Sequence, residues 1–258
     1  MKLGFPNNPR RDVLAEIEWI ARSGFDFADL FLEPDRAAIE AIDPGRIREA
    51  LRRCDLEAVG HLAYYLPIAS PLPQVREAAV ETARQYFAVF AEIGVPAVTV
   101  HANWPPAFFS AKEGIGWQAE SLEQILEAAR GVGVQVMYEP LDTELDTSEA
   151  LEAILARLPD LLCHLDLGHC NLFGRSPAAM IRRFGEVLHH LHLHDNNGRA
   201  DQHLPPGAGN IDWPGVMRAL EDVGYDRTIT LEIFSRDRDY VLLAKRKVEV
   251  LLGQAARP

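Results

Sequence analysis

Residues 161–169 read Leu-Leu-Cys-His-Leu-Asp-Leu-Gly-His, and this stretch decides the fold. A short, mostly apolar run ends on an acid, a glycine and a histidine. Similar endings recur along the chain. AVGHL at 58–62 carries His61, AVTVHA at 97–102 carries His101, and VQVMYEP at 134–140 carries Glu139. LHHLHLHD at 188–195 carries His192, and TITLEIF at 228–234 carries Glu232. Buried strands that finish on imidazole or carboxylate are what a parallel sheet produces when its strand ends bear the chemistry.

Working outward, the apolar period switches repeatedly between continuous runs and helical spacing. The pattern predicts strands near 2–5, 27–32, 56–62, 97–102, 134–140, 161–167, 188–194 and 228–234. It predicts helices near 10–23, 36–53 with a break at Pro44, 73–93, 118–131, 147–157, 177–184, 213–223 and 237–252. Thr147, Ser121 with Glu123, and Asp212 before Trp213-Pro214 read as helix starts. Gly24, Gly94, Gly133 and Gly224 read as helix ends. Eight such pairs in 258 residues, 48% of them hydrophobic, predict one α/β domain over 1–258. The expected architecture is a (β/α)8 TIM barrel, whose strand ends share one face.

The formal charge is −12, which disfavours nucleic acid and anionic membranes as partners. The first residues, MKLGFPNNPRRD, lack an apolar signal core, and no apolar run is long enough to span a bilayer. Cys54, Cys163 and Cys170 form no Cys-x-x-Cys pair, and a reducing cytoplasm fits them. Cys163 and Cys170 read as buried thiols.

Nine residues carry metal-ligand chemistry: His61, His101, Glu139, Asp166, His169, His192, Asp201, His203 and Glu232. Imidazole and carboxylate suit Zn, Mn, Co or Fe. Four polar groups aimed into one barrel mouth are costly without a shared partner. A divalent metal held by Glu139, Asp166, His192 and Glu232 is therefore the expected cofactor. His61 and His101 beside Glu139 are candidates for a second ion. His169 with Asp201 and His203 are candidates for a third, against a loop held by polar contacts. His190 shares His192's strand face, beneath the ion or in the core. His194 lies at the strand end, within reach of substrate. His164 reads as core and His189 as facing a helix. Gly207 and Gly209 allow close backbone approach, and a plain turn explains them as well.

Phe5, Tyr64, Tyr65, Trp104, Phe108, Phe109, Trp117 and Phe173 are expected around the mouth, where sugar faces and bases alike pack on rings. A hydrophobic lid or a homo-oligomer contact is the alternative for several of them.

HLDLGH, then HLHLHDNNG with DQHLPPGAGNIDW, then TLEIF, resemble in combination and order the xylose-isomerase-like TIM-barrel superfamily. It contains sugar-phosphate isomerases, ketose 3-epimerases and endonuclease IV-type apurinic-site nucleases. Similarity to the epimerase branch implies that Glu139, Asp166, His192 and Glu232 bind one Mn, Co or Mg ion. Glu139 and Glu232 would then move a proton beside the carbonyl of a sugar or sugar phosphate through an enediolate. His169 would contact a substrate oxygen. The further glutamate usual in those epimerases is Leu145 here, with Glu144 adjacent. Their substrate arginine is Gly198, with Arg199 next to it. His194, Arg199, Tyr64 and Trp104 are the remaining substrate-binding candidates. Similarity to endonuclease IV implies three zinc ions on all nine ligands, a hydroxide attacking a phosphodiester, and Tyr64 at a DNA-contacting position. One ion on three carboxylates leaves a single negative charge, which suits a neutral sugar. Three ions with Asp201 added leave two positive charges, which suit a phosphate. The acidic chain and its few basic mouth residues favour the isomerase.

Overall fold

The computed structural model describes residues 1–253. Eight strands alternate with eight helices. The strands are β1 (Lys2–Pro6), β2 (Phe27–Phe31), β3 (Glu57–His61), β4 (Ala97–His101), β5 (Gln135–Glu139), β6 (Leu162–Asp166), β7 (Leu188–Leu193) and β8 (Thr228–Leu231). The helices are α1 (Val13–Arg22), α2 (Pro44–Arg53), α3 (Pro73–Ile93), α4 (Ala111–Gly131), α5 (Ser148–Leu155), α6 (Pro177–Phe184), α7 (Trp213–Asp222) and α8 (Arg238–Leu251). Strand order follows the sequence and closes into a barrel. The expected (β/α)8 class is the class observed.

The chain divides into two compact units: Pro6–Leu162, and Met1–Phe5 together with the chain from Cys163 onward. In the first, Phe31 opposes His61, His61 opposes Thr99 two residues before the end of β4, and His101 opposes Glu139. Register alone therefore sets His101 beside Glu139. In the second, Asp166 opposes His192 and His192 opposes Thr230. Glu232 lies two residues beyond Thr230, so it shares that residue's face. Near-continuous burial along these strands fits a parallel sheet covered by helices.

Two helix starts differ from expectation. The second helix begins at Pro44, not 36, because Pro44 takes the first helical position and Asp43 accepts from the Arg46 N–H at 3.0 Å. The fourth begins at Ala111, not 118. Ser110 and Glu113 form a reciprocal capping box there, and Gly114 and Gly116 hid that extra turn from propensity. Ser121, read as a start, is buried mid-helix and donates to the Ile68 carbonyl at 2.7 Å. The starts at Thr147 and Asp212 are as expected. A short 3₁₀ turn at His169–Gly174, with Phe173 at φ 57°, was not expected.

No helix among the described residues is long and apolar enough to cross a membrane.

Candidate active site

Within the unit Pro6–Leu162, three ligand atoms from three adjacent strands form a triangle. His61 Nε2 lies 2.7 Å from His101 Nε2 and 3.4 Å from Glu139 Oε2. His101 Nε2 lies 3.1 Å from the same carboxylate oxygen. Ligands about 2.0 Å from a tetrahedral zinc stand roughly 3.3 Å apart, so this donor set fits such an ion. All three side chains are buried.

Behind His61 stands Asp29, fully buried on β2, with Oδ1 3.6 Å from His61 Nδ1. A carboxylate behind a ligating imidazole fixes its tautomer and raises its basicity. The sequence reading missed Asp29. The signal was a charge inside the apolar run FADLF. Glu33, also missed, follows β2. Burial raises its carboxyl above the ordinary range, against the opposing pull of His61 and a hydrogen bond from Tyr65.

Trp104 is half-buried, and its indole N–H donates to Asp146 Oδ1 at 2.9 Å. Asp146 is itself buried and also accepts from Thr143, so the loop after β5 fixes the ring after β4. Tyr64 is 60% exposed, its ring edge-on to His101 at 6.4 Å between centroids. Phe108 is exposed, Phe109 packs on Trp117, and Arg76 lies over the Trp117 ring. Phe5, expected at the mouth, is instead buried in the core.

In the other unit, His192 Nδ1 lies 3.0 Å from Glu232 Oε2 and 3.9 Å from Asp166 Oδ2. Nδ1 is thus the nitrogen turned toward both carboxylates. Below it is a column of rings. His164 meets His192 at 4.2 Å and His190 at 4.6 Å between centroids. His190 bonds Thr228 Oγ1 at 2.7 Å and Thr230 Oγ1 at 3.1 Å.

A further group gathers His169, His194, Asp201 and His203, whose ligand atoms all lie within 4.8 Å of one another. Asp201 Oδ2 is 2.7 Å from His203 Nε2 and 3.7 Å from His169 Nε2, and Oδ1 is 3.4 Å from His194 Nε2. Burial alone would raise the Asp201 carboxyl. Hydrogen bonds from His169 and His203 outweigh it and hold the group well below the ordinary carboxylate range. Burial likewise opposes charge on His203, yet the Asp201 hydrogen bond and the fields of Glu232, Asp201 and Asp166 push it up to about 9. His194 was read as a substrate contact, and its position in this group was missed. Arg199 is exposed on the loop after β7.

That loop is organised by Asp195, which is fully buried. Its carboxylate accepts from the N–H groups of Asn196 at 2.9 Å, Gly207 at 2.7 Å and Ile211 at 3.3 Å, and from the Trp213 indole at 2.9 Å. A Cβ on Gly209 would stand 2.2 Å from the Asn196 carbonyl oxygen. Gly209 thus serves the packing of the turn, and Gly207 supplies its positive φ of 82°.

A family model described as a xylose isomerase-like TIM barrel matches residues 17–253. An uncharacterised protein of Methanocaldococcus jannaschii is 29% identical over 233 residues, 84% of this chain and 78% of that one. A fructoselysine 3-epimerase of Shigella flexneri is 27% identical over 152 residues, covering 55% of each chain. A crystal structure of a D-tagatose 3-epimerase-like protein superposes with a TM-score of 0.86 at 27% identity, over 98% of both chains.

Proposed function

Because this chain belongs to the xylose isomerase-like TIM-barrel family, we propose that it is a metal-dependent isomerase that epimerises a ketose or ketose phosphate at the carbon next to the carbonyl. The observation that carries the reading is the facing of His192 Nδ1 and Glu232 at 3.0 Å, with Asp166 on the same nitrogen. These three donors would hold a divalent ion, with Glu139 as the fourth. The proposal takes residues 1–258 as one working domain.

When bound, the ion would polarise the substrate carbonyl as a Lewis acid. The protein's own groups do the proton work. One of Glu139 and Glu232 takes the proton from the carbon beside the carbonyl, and the other returns one to the opposite face. The Asp166 and His192 side chains hold the metal end of the site. His169 orients a substrate oxygen, and Trp104, fixed by Asp146, offers a flat face to the sugar. Tyr64 and Arg199 line the approach. The names of two relatives, a fructoselysine 3-epimerase and a D-tagatose 3-epimerase-like protein, favour C3 as the reacting carbon. Mn, Co, Mg and Zn all suit the donor set.

The triangle of His61, His101 and Glu139 favours a second reading, a zinc-dependent phosphodiesterase with three ions. The net charge of −12 weighs against a nucleic-acid substrate.

The test incubates the metal-loaded protein with a panel of ketoses and ketose phosphates in deuterated water, beside an abasic-site oligonucleotide. Metal-dependent deuterium uptake at C3 of one sugar is expected, reduced about 10³-fold or more in Glu139→Gln and in Glu232→Gln. Strand cleavage without sugar exchange, lost in His61→Ala and His203→Ala, would establish the phosphodiesterase instead.

A further inference from the structure

We propose that Glu33 and the rings of Phe31, Tyr64 and Tyr65 form a cation subsite, which takes a protonated amine on a terminal carbon of the sugar. The substrate is then an amino-deoxyketose and not a ketose phosphate. The inference rests on the isomerase reading and names the substrate class of that same site.

The subsite is built where two neighbouring strands end. Phe31 closes β2 opposite His61, which closes β3. Their rings stand 4.3 Å apart between centroids. His61 Nε2 lies 3.4 Å from Glu139 Oε2, the carboxylate proposed above to move the proton. Glu33 and Tyr65 follow just past the two strand ends. There the Tyr65 hydroxyl donates to the Glu33 carboxylate. The Tyr64 ring stands edge-on to Tyr65 at 5.3 Å and to His101 at 6.4 Å between centroids. Both tyrosines are more than half exposed, so their rings are open to a ligand.

Charge decides what fits. Glu33 is half-buried, and the groups acting on it are the His61 imidazole and the Tyr65 hydroxyl. Among the described residues it has no lysine or arginine partner. Glu40 adds a second negative charge nearby. Burial, Tyr65, Glu40 and Glu33 together push the Tyr86 hydroxyl up to about 12, so the field in this sector is negative. Arg36, on the same loop, is exposed and pairs with neither acid. A phosphate brought here meets a carboxylate with no cation beside it. A hydroxyl leaves that carboxylate uncompensated. A protonated amine gains a charge-assisted hydrogen bond to Glu33 and the electron-rich faces of the rings.

The test reads binding without turnover, on the metal-loaded full chain at physiological ionic strength. Calorimetry compares glucitol, mannitol and galactitol, which have no carbonyl, with their terminal amino-deoxy and phosphate forms. The amine form of at least one hexitol should bind about tenfold or more tightly than its parent, and the phosphate form more weakly. Glu33→Gln should abolish the advantage of the amine, and Tyr65→Leu, at an exposed ring, should reduce it. In deuterium exchange, Glu33→Gln should raise KM for the matching amino-deoxyketose about tenfold, with the loss falling on KM and not on kcat. Equal binding of amine and parent in every series overturns the proposal. So does tighter binding of a phosphate form, or an amine advantage that survives Glu33→Gln. Sugar exchange without any amine advantage removes this inference and leaves the isomerase reading standing. An amine advantage without sugar exchange keeps the cation subsite and removes the reaction.

Discussion

At position 189 the protein keeps an imidazole uncharged. Burial is the main cause, helped by Arg227 and His190, and together they push His189 down to about 4. Arg227 donates to His189 Nδ1 at 3.1 Å, a bond that needs the neutral ring. The folded-state value lies below the unfolded value of about 6.5. Its contribution is therefore present above about pH 6.5 and is lost as pH falls through 4. The ring is only partly buried, so the effect is on the order of 1 kcal/mol after screening by water. Urea unfolding at pH 7.5 and 4.5 should show the wild type losing more stability on acidification than His189→Gln, and equal losses would refute the account. Most of the candidate ligands were legible because they sit at the end of an apolar run. Asp29 and His194 were not. One lies inside a strand and the other has an unremarkable place in HLHLHD, and only the neighbouring strands and loop give them partners.

Among the elements, the connection from β7 to α7 depends on a single carboxylate. Removing it as Asp195→Ala strands the N–H groups of Asn196, Gly207 and Ile211 and the Trp213 indole. The expected cost is about 2–4 kcal/mol, with Asp195→Asn costing less because one acceptor oxygen remains. Denaturant titration of the two variants checks this, and a loss below about 0.5 kcal/mol for the alanine would show that the loop is held elsewhere. Strand positions were well legible, since β-type apolar runs and register leave little freedom. Helix starts were less so. The capping box at Ser110 and Glu113 outranked two helix-weakening glycines, and Pro44 begins a helix where a break inside one was expected.

Taken as a whole, the molecule spends much buried polarity on imidazole and carboxylate. His61, His101, Glu139, Asp166, His192 and Glu232 are each less than one-tenth exposed. Such groups are stabilised by a shared cation, so ion binding should stabilise the native chain by mass action. With free Zn or Mn about 100-fold above its dissociation constant, the gain is about 2.7 kcal/mol per ion. That is roughly 5–10 °C in Tm for a chain of this size. Scanning calorimetry with and without chelator reads it, and an unchanged Tm after verified metal loading would count against a resident ion. The barrel class was legible from the alternation of eight pairs; what lay beyond the sequence was which donors face one another, because register and loop return are three-dimensional facts. The column of His164, His190 and His192 carries a last consequence. Of its rings, His190 bonds the hydroxyls of Thr228 and Thr230, and both His164 and His190 lie against His192. The seat of the His192 ring is thus set in part from beneath, and any affinity it has for an ion would be tuned by two hydroxyls one layer down.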